Sequence, residues 1–190
     1  MSNSQLSIEF LEGDLMKDVY YRNNRTSGQK NLRCFPTCGA RHSDSTFCGK
    51  KLGVRMRLNK STRIKIDHIY ILGEFHYSDR PSDDPDYIDI SANGGIHESD
   101  IQSRLKTRTE SLHQFYPAKI SSQIDHYDHY ELIIYFNDEC VSWHYGWKGN
   151  RYKQNFLHSF MISVLVMDPS QIPTTNCYYN LLGQFSSPSF

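Results

Sequence analysis

The densest set of chemically able side chains is Arg33-Cys34-Phe35-Pro36-Thr37-Cys38-Gly39-Ala40-Arg41-His42, followed by Cys48-Gly49-Lys50-Lys51. Cys34, Cys38, His42 and Cys48 would supply soft and borderline donors for tetrahedral zinc. Their spacing, with three, three and five intervening residues, matches no zinc ribbon or finger, and there is no CxxC pair. Reduced structural thiols are the favoured reading; structural zinc is the alternative, and no cofactor is expected. The same stretch is basic. Arg22, Arg25, Lys30, Arg33, Arg41, Lys50 and Lys51 are interleaved with Asn23, Asn24, Ser27, Gly28 and Gln29. Arg pairs with guanine O6 and N7, Asn and Gln pair with adenine N6 and N7, and Lys and Ser meet phosphates. The bland counterpart is a solvated loop whose charges face water. A second basic run, Trp147 to Asn155, adds Lys148, Arg151 and Lys153. Two such loops at the end of a β-domain suit a grip on a DNA backbone better than chance placement does.

Other constellations are weaker. Asp125-His126-Tyr127-Asp128-His129-Tyr130 puts His126 and Asp128 on one face of a strand, or Asp125 and His129 on one face of a helix. Either could orient a base or a metal ligand, but neither completes a site, and an exposed polar patch is the preferred reading. Cys140 and His144 lie four apart near Trp143 and Trp147, where packing is preferred to a nucleophile pair. No GxSxG, HExxH or P-loop pattern occurs.

The elements that must position these residues are mostly strands. Leu6 to Phe10 and Val54 to Leu58 alternate apolar and polar residues, the second with Arg on its outer face. Ile64 to Phe75 and Glu131 to Phe136 suit more buried strands. In Phe156 to Met167, residues Phe156, His158, Phe160, Ile162, Val164 and Val166 would share one face. Residues 78 to 86 and Asn93-Gly94-Gly95 read as surface loops. The stretch 99 to 116 predicts the one helix, with Ser99 and Gln102 at capping-box spacing and Pro117 as its stop. Together these give a mainly β fold, an immunoglobulin-like β-sandwich over 1–168 with a docked C-terminal extension over 169–190.

With 190 residues, the chain fits one domain. Its formal net charge is zero, but Lys and Arg outnumber Asp and Glu by 13 to 5 in residues 1–65. The balance is 5 to 15 in residues 66–140 and 3 to 1 in 141–190. Such segregation allows a basic face and an acidic face on one neutral molecule. No apolar run approaches the length of a membrane span, the N-terminus lacks the layout of a signal peptide, and an odd number of Cys argues against a closed disulfide framework. A soluble intracellular protein is expected.

The run GWKGNRYKQNFLHSFMISVLV resembles the basic loop leading into a strand of Runt-type and other immunoglobulin-fold transcription factors, a group that includes Rel, STAT and CSL proteins. RNNRTSGQKNLRCFPTC resembles the basic recognition loop with paired Cys near the start of the CSL and Rel DNA-binding domains. The two stretches cover about 38 residues, and the acidic middle departs from those families' overall basicity. The resemblance implies a nuclear, non-enzymatic transcription factor that binds duplex DNA through end loops, as a homodimer or with protein co-regulators. Arg25 or Arg33 is the expected base contact, and Lys148 a phosphate contact. The alternatives are a protein-interaction β-domain whose acidic stretch 79–100 meets a basic partner, and a metal-dependent hydrolase built on His126 and Asp128.

Overall fold

A computed structural model describes residues 5–11, 16–18, 20, 22–24, 30–38, 48–77, 87–139, 143–144, 157–168 and 176–190, with backbone only at 22–24 and 30. Its strands are β1 (Leu6–Phe10), β2 (Arg22–Asn24), β3 (Lys30–Leu32), β4 (Leu52–Asn59), β5 (Ile69–Tyr77), β6 (Gly95–His97), β7 (Tyr116–Asp125), β8 (His129–Phe136), β9 (Trp143–His144), β10 (His158–Met167) and β11 (Tyr178–Ser186). Two short helices, α1 (Ile90–Asn93) and α2 (Glu98–Ser103), flank β6. The protein is mainly β, as its alternating patterns predict.

Eight strands form one sheet in the order β1-β4-β8-β7-β5-β10-β11-β6, and β2-β3-β9 form a second sheet of three. The large sheet folds over on itself. Among the described residues, its two halves are joined where Leu72 and Gly73 of β5 pair with Pro117 and Tyr116 of β7. Val54, Met56, Leu132, Ile134 and Phe136 of the first half share one core with Ile71, Phe75, Phe160, Ile162 and Val164 of the second. At the far side the two halves meet again: a Cβ added at Gly183 of β11 would lie 3.1 Å from Leu6 Cδ2 of β1. A sandwich-like closure follows, because each half has an apolar face that only the other can cover.

The second half is covered on its outer face as well. Leu72 and Leu165 pack there with Ile90, Ile96, Ile101 and Phe115. Burial on both faces explains why β10 reads as a nearly continuous apolar run, with Phe160, Ile162 and Val164 facing the main core and Leu165 the smaller one. A bulge between Val164 and Leu165 shifts the register against β11. Gly73 is required where the rings crowd closest, since a Cβ there would lie 2.3 Å from Phe160 Cζ.

Several local expectations are corrected. The helix predicted over 99–116 spans only Glu98–Ser103. Its first turn is satisfied from outside: the Asn176 side chain accepts the Ser99 N–H at 3.0 Å and the Cys177 carbonyl accepts the Glu98 N–H at 2.8 Å. Beyond it, the Thr107 hydroxyl accepts the Glu110 N–H at 3.0 Å, a local bond that competes with helix. Ile64 to His68 is not strand, because short 3-10 turns at Lys60–Thr62 and Ile66–His68 precede β5. Asn93-Gly94-Gly95 ends α1 and starts β6, with Gly94 at φ 69° as the left-handed cap. Within 169–190, β11 pairs with β10 and β6, and Phe190 is buried in the main core. Residues 78–86 and Phe156 lie outside the described residues.

Candidate nucleic-acid interface

The early basic stretch is not a plain loop. Arg22–Asn24 and Lys30–Leu32 pair as an antiparallel hairpin closed by Asn24↔Lys30, so residues 25–29 are its connection. A five-residue link containing Gly28 between two short polar runs was the available signal for it. β3 pairs in turn with β9 through Asn31↔His144 and Leu32↔Trp143. This register fixes a direction. Because His144 is opposite Asn31, the chain leaves β9 on the side of Lys30, the same side on which 25–29 leaves the hairpin.

The small sheet is anchored by individual side chains. Leu32 and Trp143 are fully buried and join Phe35 in the main core. Phe35 and Trp143 meet edge to face at 5.3 Å, and Phe35 and Phe75 do so at 5.2 Å. The Trp143 indole N–H donates to the Lys50 carbonyl at 2.9 Å. The Tyr116 hydroxyl donates to the His144 carbonyl at 2.7 Å, and full burial holds that phenol well above its usual pKa. Asn31 Oδ1 and His144 Nδ1 are hydrogen-bonded, and both residues are buried. Cys140 lies outside the described residues.

Of the basic candidates, Arg22 and Lys30 are on the hairpin strands. Arg33, Lys50 and Lys51 lie just beyond it, where the Arg33 carbonyl accepts the Cys48 N–H at 2.9 Å and the Lys50 amine donates to the Thr37 carbonyl at 3.4 Å. Lys51 pairs with Asp138, which also meets Lys119 at 2.5 Å. Lys119 and then Lys51 hold that carboxyl below its usual range, and two cations share one carboxylate. Lys119 comes from β7, and no local pattern marks it. Arg25, Arg41, Lys148, Arg151 and Lys153 lie outside the described residues.

The sulfurs of Cys34, Cys38 and Cys48 all lie within 4.8 Å of one another. Cys34 Sγ is 3.2 Å from Cys48 Sγ and accepts the Cys38 N–H at 3.3 Å. Burial pushes the Cys34 thiol up to about 12, with hydrogen bonds to the other two sulfurs adding, and burial also raises Cys48. Three of the four candidate zinc ligands are thus together, and His42 lies outside the described residues.

The acidic and histidine-rich segments have local work. Asp89 caps α1, accepting the N–H groups of Ser91 at 2.9 Å and Ala92 at 3.1 Å, and Glu98 and Asp100 sit in the first turn of α2. His126 and Asp128 are in neither strand nor helix but in the exposed turn between β7 and β8, beside a fully exposed Tyr127. The His126 and His129 rings stack at 4.4 Å, and Asp128 pairs with His129 at 2.7 Å, which lowers the Asp128 pKa. Glu131, which with these histidines could hold an ion, already meets Arg57 at 2.9 Å and Arg55 at 3.5 Å. Among the described residues, no helix is long and apolar enough to cross a membrane. No family model, curated protein or solved structure matches the chain, which leaves its function to be read from the geometry above.

Proposed function

We propose that this protein is a non-catalytic, sequence-specific DNA-binding domain that regulates transcription in the nucleus and grips duplex DNA through basic loops at one end of its small sheet. The observation that carries the reading is the Asn31↔His144 pairing, which sends residues 25–29 and the chain beyond His144 off the same side. In this reading Lys30 and Arg25 of the first segment act together with Lys148, Arg151 and Lys153 of the second, whereas Arg22, paired with Leu32, and Arg33, which follows it, lie toward the other end of the hairpin. Lys50 and Lys51 adjoin the Arg33 end instead, and the buried Trp143 and Tyr116 hold the small sheet in place. Positive charge gathered at one end attracts phosphates even when the whole chain is neutral. The test is selection from random DNA duplexes, with an enriched motif expected. A palindromic motif would report a homodimer. Recovery of no motif, together with no duplex binding at low salt, would overturn the proposal.

One observation favours a second reading, a protein-interaction β-domain. β7 pairs with β5 only at Tyr116 and Pro117, and from Lys119 to Asp125 its residues are exposed, Ile120 and Ile124 among them. Among the described residues no strand pairs with that stretch on the β5 side, and an edge of this kind can accept an added strand from a partner. Ile120→Lys should abolish such pairing and leave DNA selection unchanged.

A further inference from the structure

The chain spacing of Cys34, Cys38 and Cys48 fits no standard zinc motif, yet the fold brings the three sulfurs together. Cys34 follows β3 and Cys48 precedes β4, so the cluster forms where the small sheet meets the large one. Of the four cysteines described, Cys177 alone lies elsewhere, buried beside α2. In a tetrahedral zinc site with Zn–S bonds near 2.3 Å, sulfurs lie about 3.8 Å apart. Three sulfurs within 4.8 Å, the nearest two at 3.2 Å, need shifts of only about an ångström to reach that spacing. A disulfide would use two of them and strand the third. The backbone N–H of Cys38 already points at Cys34 Sγ, the kind of bond that supports a metal-bound thiolate. Arg33 and Lys50 adjoin the cluster in the chain and favour the net negative charge of a zinc ion with three thiolates.

We infer that Cys34, Cys38 and Cys48 bind a structural zinc ion that ties the base of the basic hairpin to the start of β4. The three thiol protons, including the one Cys34 now shares with the Pro36 carbonyl at 3.2 Å, pass to solvent as three Zn–S bonds form. The fourth vertex is left to water or another donor. Soft thiolates select zinc over magnesium or calcium, and the ion acts as a cross-link, with no step of chemistry assigned to it.

The test is elemental analysis of the full chain, purified under reducing conditions without chelator, followed by cobalt substitution. About one zinc per chain is expected, with a thiolate-to-cobalt charge-transfer band of three-sulfur intensity. Cys34→Ser, Cys38→Ser and Cys48→Ser should each lower zinc content at least tenfold, whereas Cys177→Ser should leave it unchanged. Should the first three variants fail to fold, the wild-type stoichiometry and cobalt band decide alone. A folded wild-type chain without zinc, a cobalt spectrum lacking the thiolate band, or a Cys34–Cys48 disulfide in the reduced preparation would each overturn the inference.

Discussion

Apart from the two-residue β5–β7 joint and the three-residue β11–β6 pairing, the eight-stranded sheet is held by long registers and by burial that alternates along β4 and β8, whereas the three-stranded sheet has rungs of only two and three residues throughout. The first spreads its stability over many apolar side chains. The second depends on a few specific contacts: Trp143 to the Lys50 carbonyl, Tyr116 to the His144 carbonyl, Asn31 to His144, and the cysteine cluster. A sheet fastened in this way can present variable loops without disturbing the core that supports it.

The sharpest way to break the larger region is Phe160→Ala. Phe160 is fully buried and packs against Phe35, Phe75, Phe136, Tyr116 and Trp143. Its truncation should cost about 3–5 kcal/mol in chemical denaturation, through the lost side chain and the cavity left behind. The matching change in the smaller region is Tyr116→Phe. It keeps the ring but leaves the buried His144 carbonyl without its donor, at a cost of about 1–3 kcal/mol. Amide exchange should then speed up at Trp143 and His144 more than in β10, which separates local loosening of the small sheet from damage to the core.

The two regions also differ in how much of them is legible in the sequence. β1 matches its alternating pattern residue for residue, β4 and β8 contain theirs, and β10 covers His158–Met167 of the strand predicted over Phe156–Met167, because apolar periodicity is a direct print of a buried face. The helix predicted over 99–116 stops at Ser103 because the Thr107 hydroxyl captures the Glu110 N–H in a local turn, and its start rests on Asn176 and Cys177, more than 70 residues away, which no local spacing records. Lys119 is invisible for the same reason: it reaches Asp138 only through the β7–β8 pairing. The basic hairpin hid behind polar composition, since its strands are too short for a period to show. The cysteine cluster was legible as a residue set but not as a site, because the turn after β3 and the approach to β4 bring the sulfurs together rather than a fixed motif interval.

Smaller effects belong to the surface. Asp89→Ala removes the cap of α1 and should cost about 1 kcal/mol by thermal or chemical denaturation. Across the outer face of β1, β4 and β8, Glu9, Arg55, Glu131 and Arg57 form a ladder of ion pairs. Arg57, then Arg55, lowers the Glu131 pKa, so its contribution is present above the ordinary glutamate range and is lost as pH falls through the depressed folded value. Glu131→Gln should therefore lower the neutral plateau slightly and flatten the acid limb of a stability-versus-pH curve, leaving stability below the folded pKa nearly unchanged. A steeper acid limb in the variant would contradict that assignment.

The claim that basic segments from both sides of the Asn31↔His144 pairing act together on DNA is tested most directly by duplex-binding titrations over a range of salt. Affinity should fall steeply as salt rises. Arg25→Ala should lose about 1–3 kcal/mol and relax preference at one base pair, whereas Lys148→Ala should weaken all sequences alike and reduce the salt slope by about one ion. A double change, one residue from each segment, should reduce the slope by the sum of the two. Binding that ignores salt, or a slope that responds to one segment and never to the other, would contradict the account.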